Sequence, residues 1–385
     1  MPYPLEKGDK LRAFYQIKEL SKKHEIILAA VNHHGKLDKE QAFKKLQPYC
    51  RSVNFIDIPV WKVPFNIFKA FLSGLPLQIG YFFSGSALKQ IKKIFNIYQP
   101  DHIYCQLVRT AEYGKVLPVG KTLDYQDVFS YGVKRRIAKS PFWLKPVLKL
   151  EYKRLVKYEN KVFDLFDNKT IISFPDRALI THPEKEKIEI IPNGVDHSFF
   201  KPMVKKKIYD LVFTGNMSYP PNVDAALFLV KEIMPLVWEK FPETRLLLAG
   251  ASPDPKVKNL KEKRVAVSGW MDDIRDAYAS AKVFIAPMRI GTGLQNKLLE
   301  AMSMKMPAIT TPLANAALKA VPGKEILVGD NARELADHVI VLLTDQKQSK
   351  ALAENSFRFV HDNYSWEKST AKLADLMMST KVKEV

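Results

Sequence analysis

Cysteine is nearly absent from this chain. Cys50 and Cys105 lie far apart, each in apolar surroundings, so there is neither a disulfide framework nor a thiolate pair at metal-ligand spacing, and a reducing cytoplasm suits the protein. Long hydrophobic runs are missing too. None reaches the roughly 18 to 20 residues of a membrane span, and the first residues lack the charged-then-apolar order of a secretory signal. These absences suit a soluble or membrane-peripheral protein. Acidic charge is the third shortage: 41 Asp and Glu stand against 60 Lys and Arg, a formal net charge of +19. Such a field draws nucleic acid, anionic lipid or phosphorylated small molecules. Nucleic acid is not an expected partner, because no compact recognition module with interleaved basic and aromatic residues is present. No metal is expected either, since the "MDD" of Met271–Asp273 is explained by a capped helix start.

What the chain does have is length and a repeating pattern. Its 385 residues, 46% of them hydrophobic, suffice for two cores. In the first half, short β-rich runs read as strands at residues 25–31, 53–60, 102–108, 121–127 and 168–173. The second half repeats the plan with "YDLVFTG", "TRLLLAG", "RVAVSG", "KVFIAPM", "PAITT" and "EILVGD", with helical patterns between. This alternation predicts two parallel sheets covered by helices on both faces. The expected organisation is a first domain over 1–190, a hinge over 191–205 around "IPNGVDHSFFKP", a second domain over 206–365, and a last helix over 366–385 that can cross back to the first domain.

The densest chemistry lies in "PMRIGTGLQNKLLEAMSMKMPAIT", Pro287–Thr310. A strand ends here and a helix begins, the place where α/β sheets bind phosphate on free N–H groups. The Gly291-Thr292-Gly293 turn lets a diphosphate approach the backbone. Lys297 adds a positive charge one turn into the helix, and Glu300 projects from the same face with a carboxylate that suits ribose hydroxyls. Taken alone, these residues also fit a structural turn beside a surface Lys–Glu pair. Arg289 is a second candidate cation, or a strand-end surface arginine.

The segment Gly269–Thr311, together with "IIPNGVDHSFFKP" and the closing "YSWE", resembles glycosyltransferase family 4. "PLEKGDKLRAFYQIKELSKKHEI", "LDYQDVFS" and "TGNMSYPPNVDA" are similar to the exopolysaccharide-associated sugar transferases of the Stp1 type within it. The resemblance implies the GT-B fold: α/β class, two Rossmann-like doubly wound parallel-sheet domains facing a central cleft. It implies a retaining, metal-independent hexosyltransferase that uses a UDP- or GDP-linked sugar and no cofactor. The partners it implies are that nucleotide sugar and a glycan or lipid-linked acceptor. The alternatives are a basic protein that binds nucleic acid or membrane surfaces without catalysis, and another GT-B enzyme such as a sugar-nucleotide epimerase.

Residue by residue, the resemblance implies that Glu300, the second glutamate of the family's paired-glutamate motif, holds the ribose. Thr292 replaces the first glutamate, which leaves the backbone N–H groups of Gly293, Leu294 and Gln295 to serve diphosphate and hexose. Asn296 and Lys297 match the subgroup's "NK". Asn216 stands where many members carry a basic residue, so Gly215 and Asn216 are expected to act by backbone approach and hydrogen bonding. Gly269 and Trp270 occupy the nucleobase position, with a rim or core role for Trp270 as the alternative. In the first domain, Gly8 lies in the loop expected to face the phosphates; Asp9 reads as a helix N-cap and Lys10 as an anion contact. Asp127 is the candidate for orienting the acceptor hydroxyl, with helix capping as its alternative. No nucleophile or paired carboxylates of glycosidase type are visible. The implied mechanism is therefore front-face displacement, with Lys297, Arg289 and a helix N-terminus stabilising the departing diphosphate.

Two further segments bear on the acceptor. Lys134–Lys161 reads as one basic amphipathic helix, and Trp61–Gly85 as an apolar segment interrupted by prolines; either could lie on an anionic membrane surface or merely cover the core. Finally, the chain opens at "MPYPLEKGDKL", already in the glycine loop, although a first domain of this kind ordinarily begins with a central strand. The expectation is that this strand has been lost by truncation and that residues 25–31 and 102–108 border its position.

Overall fold

The computed structural model describes residues 1–5, 7–32, 38–291 and 293–379. The chain divides into two units, one formed by Met1–Pro192 with Glu367–Val385, the other by Asn193–Trp366.

Unit 1 carries β1 (Ile27–Asn32) and β2 (Ser52–Asp57), which pair in parallel. Its second sheet consists of β3 (His102–Gln106), β4 (Gly120–Asp124), β5 (Asn168–Ile171) and β6 (Glu189–Ile190), all parallel in that order. Among the described residues β1 and β3 do not pair with one another. Leu123, Ile171, Leu155, Val162 and Phe163 fill the core beside this sheet. The helix Trp366–Met378 brings Leu373 against Leu20 and Ile191, and the Lys372 ammonium lies 2.9 Å from Glu189.

Two local expectations change here. The basic stretch is not one helix but two, Phe129–Lys139 and Lys145–Leu165. Pro141 forces Ser140 into an extended conformation, which ends the first, whereas Pro146 falls in the first turn of the second, where no N–H is needed. Trp61–Gly85 forms the helices Val63–Ser73 and Leu77–Phe82, joined through Gly74 at φ 74°. A Cβ on Gly80 would sit 2.3 Å from that of Ala70, so only glycine lets these helices cross so closely.

Unit 2 is a single six-stranded parallel sheet of β7 (Tyr209–Thr214), β8 (Leu246–Ala249), β9 (Val265–Val267), β10 (Ala281–Ala286), β11 (Ala308–Thr310) and β12 (Leu327–Val328). Its order is β12-β11-β10-β7-β8-β9. All six run where the apolar runs predict them. Leu211, Val212, Phe213, Leu246, Leu248, Val283, Phe284 and Ile285 are fully buried, as strands covered on both faces require. The strand order reverses between β7 and β10, and the loops leaving these two strands therefore splay apart at their carboxyl ends. At the unit's margin Gly194 lies against the backbone of Ser365–Trp366, where a Cβ would approach Trp366 N to 2.2 Å, and Val195 donates to Tyr364 O. The "PNGVD" and "YSWE" motifs thus meet in space, with glycine required by close packing.

Candidate active site

Asp124 and Asp127 end the same strand and its turn but have different surroundings. Asp124 is fully buried, with its Oδ2 2.7 Å from Arg12 Nε and accepting from Tyr104 at 2.7 Å. Its Oδ1 accepts from Thr170 at 2.9 Å, and Arg12 also donates to Ile191 O at 2.9 Å. This closed network ties the first helix, β3, β4 and β5 together. Asp127 follows Gln126, which adopts φ 61° and whose side-chain Nε2 is buried without a hydrogen-bond partner. The Asp127 carboxyl stays accessible to solvent although protein surrounds most of it, and its pKa is pushed up to about 6. Burial is the main cause, and Asp176 adds repulsion that Arg109 and Arg135 partly offset. Asp127 thus remains open to a ligand hydroxyl, whereas Asp124 does not.

The first helix starts at Gly8, and its N-cap position is Lys7, with no side-chain capping bond. Asp9 is therefore not the cap, a correction to the sequence reading. It lies in the first turn, 3.2 Å from Arg109 Nη2, where it supplies a counter-charge to the half-buried guanidinium. Arg109 also stacks 4.4 Å above the Phe82 ring. Lys10 is half-buried in the same turn.

In unit 2 the site gathers at the β7/β10 reversal. Gly250, at φ 143°, packs on Gly215, so that a Cβ would strike Gly215 O at 1.8 Å. A Cβ on Gly215 would meet Asn222 Nδ2 at 2.7 Å and Lys297 Nζ at 3.2 Å. These glycines bring strand ends, amide and ammonium together. Lys297 sits in the first turn of the helix Asn296–Ser303, donates to Asn222 Oδ1 and lies 4.7 Å from the Phe213 ring centroid. Asn222 in turn donates to Asn216 O at 2.8 Å, while the Asn216 side chain accepts from Ser218. Glu300, on the same helix face, accepts from Tyr278 at 2.6 Å, and Tyr278 OH lies 2.8 Å from Thr214 Oγ1. Burial pushes the Lys297 pKa down to about 7, partly offset by Glu300, and raises that of Glu300. Both side chains nonetheless keep solvent contact.

The remaining candidates are distributed around this centre. Gly291 has φ 105°, Gln295 donates to Gly293 O at 3.0 Å, Leu294 is buried, and Asn296 accepts from Asn193 at 3.1 Å. Thr292 lies outside the described residues. Trp270 follows Gly269 (φ 70°) as an exposed side chain whose indole donates to Asp272, so it stands at a rim and not in the core. Arg289 is engaged by Asp224 at 3.1 Å and Glu232 at 3.3 Å and lies 4.1 Å from the Phe228 ring centroid. Its charge is thus compensated by two carboxylates, whereas Lys297 donates to the neutral amide of Asn222. Sequence reasoning missed Asn222 and Tyr278. The "PPNVDA" loop signals Asn222 weakly, and nothing local marks Tyr278.

Residues 209–345 match the family described as glycosyl transferases group 1. The matched residues make up most of unit 2. Asn216, Asn222, Tyr278, Lys297 and Glu300 lie within the matched residues. The chain is 26% identical over 215 residues to the Escherichia coli UDP-Gal:alpha-D-GlcNAc-diphosphoundecaprenol alpha-1,3-galactosyltransferase, covering 49% of this chain and 54% of that protein. It is 23% identical over 168 residues to an uncharacterized 44.6 kDa protein in the cps region of Klebsiella pneumoniae, covering 41% and 43%. The chain thus spans about half the length of these relatives. Among solved structures, Anabaena HepE in complex with UDP and glucose superposes with a TM-score of 0.68 at 14% identity, over 97% of this chain and 96% of that one. Sucrose-phosphate synthase from Thermosynechococcus elongatus gives 0.69 at 16%, over 97% and 93%. The fold is therefore GT-B, with the residues that match the group 1 family in its second Rossmann-like unit.

Proposed function

We propose that this protein transfers a sugar from a nucleoside diphosphate donor to a glycan or lipid-linked acceptor in cell-surface polysaccharide synthesis, in the manner of the Stp1-type enzymes. The observation that carries this reading is the pairing of Lys297 and Glu300 on one helix face at the β7/β10 reversal. The ammonium and the first-turn N–H groups suit a diphosphate, and the carboxylate suits the two hydroxyls of a ribose. The E. coli relative, which uses UDP-Gal, and HepE in complex with UDP and glucose favour UDP over GDP for the donor. Transfer proceeds with retention. The acceptor oxygen bonds to the anomeric carbon as the bond to the diphosphate breaks, and a diphosphate oxygen takes the hydroxyl proton. Lys297 stabilises the charge left on the diphosphate, a role that asks for no metal ion. Asp127 orients the acceptor hydroxyl. The work is done at the cytoplasmic face of the membrane, where a lipid-linked acceptor is presented. Thermal-shift measurement with UDP, GDP and ADP, followed by transfer assays with the matching sugars, tests the donor. If no nucleoside diphosphate raises Tm, the reading is wrong.

The depressed pKa of Lys297 has a measurable consequence. A bound diphosphate favours the ammonium form and raises this pKa, so above about pH 7 binding draws a proton from solution. Affinity for UDP should fall towards tenfold per pH unit as the pH rises past about 7, until the pKa of the complex is reached. Calorimetry in buffers of different ionisation enthalpy reads the proton uptake directly, and Lys297→Met should abolish it. In the empty protein the sign is opposite: the folded state binds fewer protons than the unfolded one between about pH 7 and 10.5, so this group's burial penalty shrinks as pH rises through that window.

A further inference from the structure

The helix Val63–Ser73 turns its most apolar residues away from the protein. Trp61, Phe65, Phe68 and Leu72 follow one another at intervals of four, three and four residues, one helical stripe, and all are exposed, Trp61 by 74%. Val63 and Ala70 form the inner face, and the close crossing of Ala70 with Gly80 fixes which face points out. A second stripe has the same spacing: Trp143, Val147, Leu150 and Arg154, beginning beside Phe142, which is 84% exposed. The two stripes join at Arg154, which donates to Phe71 O at 3.1 Å and to Leu75 O at 3.3 Å and lies 5.1 Å from the Phe71 ring centroid. Glu151 strengthens the junction by accepting from the N–H groups of Leu77 and Gln78. Monomeric proteins rarely leave so continuous an apolar face uncovered.

Charge identifies what covers it. No acidic residue occurs from Ile58 to Pro100 or from Val128 to Leu150, while Lys62, Lys69, Lys134, Arg135, Arg136, Lys145 and Lys149 lie in these stretches. The carboxylate nearest the junction, Glu151, is buried and turned inward. A second copy of the chain docking through this face would set the same cations against each other, because a two-fold interface is self-complementary. Nucleic acid has no use for an outward Leu72 and Val147. We infer that the exposed face of Val63–Ser73, with Phe142, Trp143 and the outer stripe of Lys145–Leu165, inserts into the interface of an anionic bilayer, its aromatic side chains among the acyl chains and its lysines at the headgroups. The inference deepens the membrane-side location proposed above and rests on that part of the reading alone. It makes apolar insertion, and not charge by itself, hold the protein in place.

The test uses the full chain with phosphatidylcholine vesicles and with equimolar phosphatidylcholine–phosphatidylglycerol vesicles, without donor. Wild type should sediment with the anionic vesicles and bind the neutral ones at least about tenfold more weakly. Raising salt from about 0.1 to 1 M, which shortens the Debye length from about 10 to 3 Å, should weaken binding without abolishing it. The double variant Phe65→Ser/Phe68→Ser should lose about tenfold or more in vesicle affinity at unchanged Tm. Lys69→Glu/Lys149→Glu should lose a similar factor through charge. Tryptophan emission should shift to the blue on vesicle addition and fail to do so in Trp61→Phe/Trp143→Phe. Equal vesicle binding by wild type and the phenylalanine variant would overturn the inference. So would a wild-type dimer that this variant dissociates, or preferential binding to nucleic acid. A protein that binds vesicles as described yet transfers no sugar from any nucleotide sugar to either a glycan or a lipid-linked acceptor would remove the transferase reading and leave the docking face standing.

Discussion

Lys297→Met and Glu300→Gln should each lower transfer by at least about ten- to a hundredfold while leaving the fold intact, since a charged hydrogen bond to substrate is worth roughly 1.5 to 3 kcal/mol. The two losses should differ in kind. Lys297 acts on charge that grows as the diphosphate leaves, so its removal should lower kcat and kcat/KM together. Glu300 reads the ribose in ground and transition states alike, so its removal should appear mainly in KM. Tyr278 separates placement from contact: Tyr278→Phe keeps the Glu300 carboxylate but removes the 2.6 Å bond that aims it. A smaller rise in KM, with kcat retained, is expected there. The fold should tolerate each change, because Lys297 and Glu300 are held by few partners and burial penalises both charged forms. Near wild-type kcat/KM for either Lys297→Met or Glu300→Gln, measured with the cognate donor, would sink the site assignment.

Asp124→Asn and Arg12→Met should be the most destabilising single substitutions in unit 1, each costing about 3 to 5 kcal/mol. Both side chains of this pair are fully excluded from solvent. Removing either charge strands the other where no water reaches it, and the penalty exceeds the net worth of the pair. Asp124→Asn also loses acceptor capacity for Tyr104 and Thr170, which sit on neighbouring strands. Chemical denaturation should show a lower midpoint with unchanged slope. Asp127→Asn, three residues on, should leave stability nearly unaltered and reduce transfer instead. If both aspartate substitutions destabilised equally, the distinction between a structural and an accessible carboxylate would not hold.

That distinction marks the boundary of what the amino-acid sequence determined. Short continuous apolar runs placed every strand of unit 2, because strands buried on both faces need Val, Ile, Leu and Phe on both sides whatever surrounds them. The glycine turn, Lys297 and Glu300 were legible because three residues along a helix is a fixed distance and a fixed face. Trp61–Gly85, with its proline interruption, and Lys134–Lys161 were recognisable as unusual from the sequence alone, though the break within the second and the outward-facing stripes of both were not. Only the tertiary structure decided which residues meet. Lys297 finds Asn222 from 75 residues away, Arg12 finds Asp124 from 112, and Tyr278 reaches Glu300 across 22. Arg289, promising in one dimension, is held by Asp224 and Glu232 on another helix. Local geometry is written in residue spacing, whereas the partner of a buried charge is chosen by which strands become neighbours, and the strand order that brings β7 beside β10 follows from the sheet as a whole and from no single stretch of the chain.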